Sequence, residues 1–355
     1  MNLVTMGLTE KVKNDFNTIK TSDDLIIGRV ALEHKRMYRV WTEQGELLAE
    51  VSGKISFQAH SREDFPAVGD WVSLKPRVEE GKGTIFAVLP RNSKFSRKSA
   101  GGTAEEQIVA ANVDTVFLVN SLNEDLNLRR IERYLLLTWE SGANPVIVLS
   151  KADLCQDLVE KVAEIEAIAY GGVPVIPISS ETMSGFEKLD AFLQPGKTIA
   201  LLGSSGVGKS TLTNRLLGEE KQLVQEIRAD DAKGRHTTTH RELILLPNGS
   251  ILIDTPGMRE LQLWESADGL TETFSEIDDL SSQCRFRDCQ HKDEPGCAVV
   301  KAIEEGFVAA ERLYSYNKLQ KELAFIERKA DKRAQSEERK HWKNINKQMK
   351  QRKSR

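Results

Sequence analysis

Gly203-Ser204-Ser205-Gly206-Val207-Gly208-Lys209-Ser210 fits the spacing Gly-(four residues)-Gly-Lys-Ser of a phosphate-binding loop. Each position has a physical task. The glycines let backbone N–H groups turn inward onto phosphate oxygens. Lys209 reaches the β- and γ-phosphates, the Ser210 hydroxyl ligates Mg²⁺, and the positive end of the following helix adds to the anion site. The context agrees: the apolar run Thr198–Leu202 leads straight into the loop, and Ser210–Leu217 behind it has helical spacing. Ser204, Ser205, Val207 and Thr211 complete the segment that would wrap the phosphates.

Outward from this loop, strand-like and helix-like runs alternate. Val113–Val119, Pro145–Leu149 and Val173–Ile178 read as strands before it, and Glu242–Leu246 and Ser250–Ile253 as strands after it. Leu128–Glu140 and Leu158–Tyr170 have helical spacing. Near-continuous apolar strands separated by helices predict a mostly parallel sheet covered on both faces, over residues 105–265.

About 50 residues past the loop, Asp254-Thr255-Pro256-Gly257 follows an apolar strand. There an Asp can hold Mg²⁺ through water and the Gly257 N–H can meet a γ-phosphate. Between the two lies Gly234-Arg235-His236-Thr237-Thr238-Thr239-His240, where one threonine, assigned here to Thr238, would complete Mg²⁺ coordination only when the γ-phosphate is present. Guanine is told from adenine by a carboxylate that accepts from the ring N–H and amino groups. Ser150-Lys151-Ala152-Asp153 follows the strand Pro145–Leu149, so Asp153 can supply that carboxylate and the Lys151 stem can pack on the base. Ser150 stands where Asn or Thr is usual. Ile178-Ser179-Ser180 resembles the element whose backbone N–H meets the base oxygen. The bound species is therefore GTP or GDP with Mg²⁺. The base-reading segments precede the phosphate loop by about 50 residues, the reverse of the ordinary order, which marks a circular permutation.

The flanks differ in character. Residues 1–22 are polar and mixed in charge and read as a flexible extension without a signal peptide's apolar core. Residues 23–95 carry five short strand-like runs and no long helix, which suggests a small β-barrel of the oligonucleotide-binding (OB) type or another small all-β module. Residues 96–104 read as a linker. In 266–320, Cys284-x4-Cys289-x-His291-x5-Cys297 offers three thiolates and one imidazole, a closed tetrahedral set suited to one structural Zn²⁺; the alternative is unrelated cysteines and a surface histidine. Soft sulfur ligands exclude Mg²⁺ and Ca²⁺ there. Residues 321–355 form a helix-prone tail. From Arg328 onward it holds twelve Lys or Arg against three Asp or Glu, either a solvated helix face or an arm for RNA phosphates. The net charge of −3 argues against a generally basic nucleic-acid coat. No apolar run nears the ~18–20 residues that span a bilayer, so a cytoplasmic location without a membrane partner is expected.

Taken together, Ala110-Ala111-Asn112-Val113-Asp114, Ser150 to Asp153, Gly203 to Thr211, Gly234 to Thr239, Asp254 to Gly257 and the Cys3His spacing resemble the circularly permuted, small-subunit-dependent ribosome assembly GTPases of bacteria, the RsgA/YjeQ family. The resemblance covers roughly residues 25–320. It implies an OB domain, a central permuted α/β P-loop GTPase and a helical zinc domain. It also implies late maturation of the small (30S) ribosomal subunit, rRNA contact, and GTP hydrolysis to GDP and phosphate stimulated by the subunit. Met258 occupies the position after Asp-x-x-Gly where many GTPases carry a water-orienting Gln, and Met cannot orient water. His236 in the switch segment is the candidate catalytic group, and the resemblance supports it. Nothing in the chain suggests an obligate dimer. A P-loop kinase using ATP is the competing reading, opposed by Asp153.

Overall fold

The computed structural model describes residues 2–34, 36–59, 61–98, 106–123, 126–169, 172–218, 241–254, 268–292, 294–325 and 328. Two compact units divide the chain, Met1–Gln262 and Leu263–Arg355.

The first unit opens with helix α1 (Glu10–Ile19), whose N-cap Thr9 side chain accepts from the Val12 N–H. Val12 and Phe16 lie four apart, hence on one face, and both are buried with Leu3, Met6 and Leu8. Residues 1–22 are thus not a flexible extension: five apolar side chains leave water, each burial worth roughly 1.5–3 kcal/mol. Then come β1 (Ile26–His34), β2 (Met37–Thr42), β3 (Gly45–Val51), α2 (Gly53–Gln58), β4 (Trp71–Arg77) and β5 (Lys82–Val88). Strand order β1-β2-β3-β5-β4 closes through β4 onto β1, a five-stranded barrel with one parallel pairing, β3 to β5. That connectivity, with a helix between β3 and β4, fits the OB barrel. Alternating residues fill it: Val30, Val40, Leu47, Ala49, Val72, Leu74 and Ile85.

Residues 96–98, expected in a linker, belong to strand β6 (Lys94–Lys98), which pairs antiparallel with β7 (Glu106–Ala111). The α/β layer follows: β8 (Thr115–Ser121), α3 (Leu128–Ser141), β9 (Asn144–Ser150), α4 (Leu158–Glu166), β10 (Val175–Pro177), β11 (Thr198–Leu202), α5 (Lys209–Leu216), β12 (Arg241–Leu245) and β13 (Ile251–Asp254). The sheet order is β10-β9-β8-β11-β13-β12. All pairings are parallel except β12 with β13. Every residue of β8 is buried, as two covered faces require. Phe117 and Val119 pack with Val146, Val148 and Leu212 of α5 on one face, while α3 packs on β8 and β9. From β8 the chain steps outward to β9 and β10, then returns to β11 on the other side of β8. The strand order therefore reverses between β8 and β11, and ligands bind beyond the carboxyl ends of strands at such a point.

Barrel and α/β layer share one eleven-stranded sheet, because β12 also pairs with β1. The buried Arg29 ties the parts together. Its guanidinium donates to the Met6 carbonyl (2.6 Å), Thr198 Oγ1 (2.8 Å), and the Gly69 and Asn112 carbonyls (3.4 Å each). Burial pulls its pKa down to about 10, opposed by Asp114 and Asp70, so it stays charged at neutral pH.

The second unit contains α6 (Asp268–Thr273), α7 (Ser275–Ser281), α8 (Ala298–Glu304) and a helical stretch over 310–325. Its core centres on Phe274, in edge-to-face contact with Tyr316 and under the Arg312 guanidinium, which pairs with Glu276. Among the described residues, no helix is long and apolar enough to cross a membrane.

Candidate functional site

The phosphate loop leaves β11 at the strand-order reversal. Gly203 lies so close to β8 that a β-carbon there would sit 2.2 Å from the Val119 carbonyl oxygen. Only glycine fits, and the loop is thereby pinned beside the end of β8. Gly206 and Gly208 have φ of +81° and +97°, which other residues rarely adopt. These turns bring the chain back into α5. Its N-cap, Gly208, supplies no side-chain cap, so the first-turn amides stay open to an anion. Lys209 Nζ donates to the carbonyls of Gly203 (2.7 Å) and Ser204, which hold the ammonium against the loop. Ser210 and Thr211 follow on the first turn, both exposed.

The segment expected to read the base comes from β9, two strands away, and the fold brings it onto this loop. Ser150 is buried at the end of β9, and its hydroxyl lies 2.6 Å from the Val207 carbonyl and 3.3 Å from that of Asn120. A serine has one proton, so the shorter contact is its donated bond and the residue latches the phosphate loop to β9. Lys151 sits in the left-handed region (φ 60°) and donates from Nζ to the Gly206 carbonyl at 3.1 Å. Its stem therefore runs along the loop. The Ala152 N–H donates to the Ile178 carbonyl (3.1 Å), joining the segment after β9 to the one after β10. That second segment is closed by Ser179, whose hydroxyl accepts from the N–H groups of Glu181 (3.2 Å) and Thr182 (3.1 Å). Asp153 is exposed in the short turn that follows, so its carboxylate faces water and is open to a base. Asp254 is the last residue of β13, at the same edge of the sheet. Gly257, His236 and Thr238 lie outside the described residues. The contacts of Ser150 and Lys151 with loop carbonyls, rather than with each other, were not legible in the motif. Nor was the role of the Val119 carbonyl, which is backbone and leaves no mark in sequence.

In the second unit, Cys284, Cys289, His291 and Cys297 converge, their ligand atoms all within 4.8 Å of one another. Cys284 and Cys297 Sγ are 3.8 Å apart, and His291 Nδ1 is 3.7 and 3.4 Å from them. Zn–S and Zn–N bonds of about 2.3 and 2.0 Å at tetrahedral angles separate sulfurs by about 3.8 Å and sulfur from nitrogen by about 3.5 Å. The donor set therefore fits tetrahedral zinc. Cys297 caps α8, with the Val300 N–H at 3.4 Å from its sulfur. Ser281, unmarked by any motif, sits behind the histidine. Its hydroxyl donates to the Ile277 carbonyl (2.6 Å) and lies 3.0 Å from His291 Nε2. With its proton committed, the oxygen accepts from Nε2–H, which leaves the Nδ1 lone pair aimed at the sulfurs. Burial lowers the His291 pKa against the pull of Glu294, which favours the neutral, ligating imidazole.

Comparison with known proteins agrees with this geometry. A family model described as RsgA GTPase matches residues 88–264. A second, described as 50S ribosome-binding GTPase, matches 198–347, beginning at β11. The small ribosomal subunit biogenesis GTPase RsgA 2 of Lactiplantibacillus plantarum is 49% identical over 92% of this chain and 90% of its own. The small ribosomal subunit biogenesis GTPase RsgA of Methanosarcina acetivorans is 46% identical over 92% and 86%. Among solved structures, YjeQ from Thermotoga maritima superposes with a TM-score of 0.65 at 33% identity, covering 84% of this chain and 99% of that one. YloQ, a circularly permuted GTPase, does so with a TM-score of 0.63 at 26% identity, covering 86% and 96%. With identity near one half along nearly its whole length, and the permuted order in its own strands, the chain belongs to the RsgA GTPase family.

Proposed function

We propose that this chain hydrolyses GTP to GDP and phosphate as a late-stage maturation factor of the small ribosomal subunit, binding in the GTP state and leaving after hydrolysis. The observation that carries the reading is the latch of Ser150 and Lys151 onto the phosphate loop, which holds the segment we assign to guanine reading, ending in Asp153, against that loop despite the permuted order. Lys209 then moves from loop carbonyls to phosphate oxygens, a charge-assisted exchange that the nucleotide drives. Mg²⁺ would be held by the Ser210 hydroxyl with Asp254 and Thr238, and it neutralises charge on the β- and γ-phosphates.

We assign orientation of the attacking water to His236, since Met258 cannot serve. Turnover by the chain alone is expected to be slow, and the small subunit is expected to stimulate it. The OB barrel and the basic tail are the surfaces we assign to rRNA. The Cys3His cluster is assigned one structural Zn²⁺, with the chain acting as a cytoplasmic monomer. Relatives carry names that specify the small subunit, whereas one matching family model is described by the large one. The test is therefore GTP hydrolysis alone, with purified small subunits and with purified large subunits, and ATP as control. Strong stimulation of GTP hydrolysis by small subunits alone is expected. Equal rates in all three mixtures would overturn the reading.

A further inference from the structure

One edge of β1 has two partners. Its first half, Ile26 to Arg29, pairs with β4 and closes the barrel. A bulge between Val30 and Leu32 then shifts the register, and the second half leaves β4. There β12 takes the edge, with Leu32 opposite Glu242 and Glu33 opposite Arg241. The same Glu242 stands opposite Asp254 on the other side of β12, and Leu32 stands opposite Arg39 of β2. Asp254, Glu242, Leu32 and Arg39 thus form one line across four strands, from the end of the Asp-x-x-Gly strand into the barrel wall.

Side chains fasten this line. Arg39 Nη2 reaches over β1 to Glu242 Oε1 at 2.7 Å, and its Nε lies 3.8 Å from Glu46 Oε1. Arg241 Nη1 lies 3.8 Å from Glu33 Oε2 and donates to the Ile108 carbonyl at 3.4 Å. Among the described residues the seam joins two opposed residue pairs, and its Arg39–Glu242 ion pair is partly exposed. Coupling between sites requires an element that can take two arrangements. Asp254 ends β13, and β12 begins at Arg241, directly after the Gly234–His240 segment in sequence.

We propose that the β12–β1 seam couples nucleotide state to the barrel, with Arg39 and Glu242 as its positioning residues. A γ-phosphate that draws the ends of β12 and β13 inward tightens the seam, and its loss loosens it. This rests on the reading of the site as a GTP switch.

The test is hydrogen–deuterium exchange on the full chain, loaded with GDP or with a non-hydrolysable GTP analogue, following amides in Leu32–Arg39 and Arg241–Leu245. In the wild type, exchange should be several-fold slower with the analogue. In Arg39→Glu and in Glu242→Arg that difference should vanish and the preference for the analogue over GDP should fall several-fold, while GDP affinity and the melting temperature hold. The double variant Arg39→Glu/Glu242→Arg should restore the difference, which a merely structural role would not. Equal exchange in the two nucleotide states of the wild type, or single reversals that keep the difference, would overturn the coupling. Failure to bind guanine nucleotides at all would overturn the switch reading itself, and is seen separately in the affinity measurement.

Discussion

Ser281 shows how one hydroxyl can decide the chemistry of a ligand set. A neutral imidazole can present either nitrogen, and the hydrogen bond made by the other settles which. Ser281 donates to Ile277 and so must accept from His291 Nε2–H, which commits Nδ1 to the sulfurs. Outer-shell partners of this kind are worth roughly ten- to hundredfold in metal affinity. Ser281→Ala should lower zinc affinity by about that factor in competition with a chelator. Ser281→Thr, which keeps a hydroxyl able to bond the carbonyl one turn back, should stay near the wild type. An alanine variant with undiminished affinity would show that the cysteines alone orient the histidine. Ser150 makes the parallel point at the other site. Its proton goes to the Val207 carbonyl, so the residue acts on the phosphate loop.

At the scale of elements, Arg29 is the joint between segments far apart in sequence. Its four acceptors come from the N-terminal segment, the β4 approach, the β7–β8 turn and the first residue of β11. Arg29→Met keeps length and apolarity but strands Met6 O and Thr198 Oγ1 without their donors. At about 1–3 kcal/mol per buried unsatisfied group, a loss of about 3 kcal/mol is expected, read as a lower urea midpoint at unchanged slope. Arg29→Lys should not rescue it, because a point ammonium cannot serve four acceptors in a fork. A midpoint within error of the wild type would sink the idea. Such joints also mark where sequence reading stops. The five barrel strands and β11 were legible because alternating or continuous apolar runs are local signals. Helix α1 was not, since Val12 and Phe16 are lone apolar residues in a charged stretch and the surface they bury against is formed by distant chain. The β6–β7 pair was missed for a similar reason. Ser96-Arg97-Lys98 is polar, and its partner Glu106-Gln107 lies across an intervening segment. At the site, the phosphate-loop and tetrapeptide motifs and the Cys3His spacing stand out in sequence because ligand chemistry dictates their residue types, and the structure brings Ser150 and Lys151 onto the loop and gathers the four Cys and His side chains. The Val119 carbonyl and Ser281 act through position alone.

For the whole molecule, the permutation and the two units have one consequence in common. Reordering the strands leaves the contacts at the β8–β11 reversal intact, so nucleotide binding needs only the first unit, with its own core around Phe117, Val119, Val148 and Leu212. Among the described residues of the second unit, the apolar side chains shut off completely from water are Phe274, Ile277 and Val299. A thin apolar core leaves a fold more dependent on a metal or a disulfide. The unit's cysteines are unpaired by disulfides and converge in a set with zinc spacing. Metal binding there is folding free energy, and ligands that must be deprotonated make it fall as pH drops. Removing zinc with a strong chelator should therefore unfold Leu263–Arg355, seen as lost helical circular dichroism and new proteolytic cleavage after α6. Guanine-nucleotide affinity of the same sample should remain within about threefold, a change under 1 kcal/mol. Re-addition of zinc should restore both signals. Loss of nucleotide binding on chelation would mean that the phosphate site depends on the metal unit, and the two could not then be treated as separately folded.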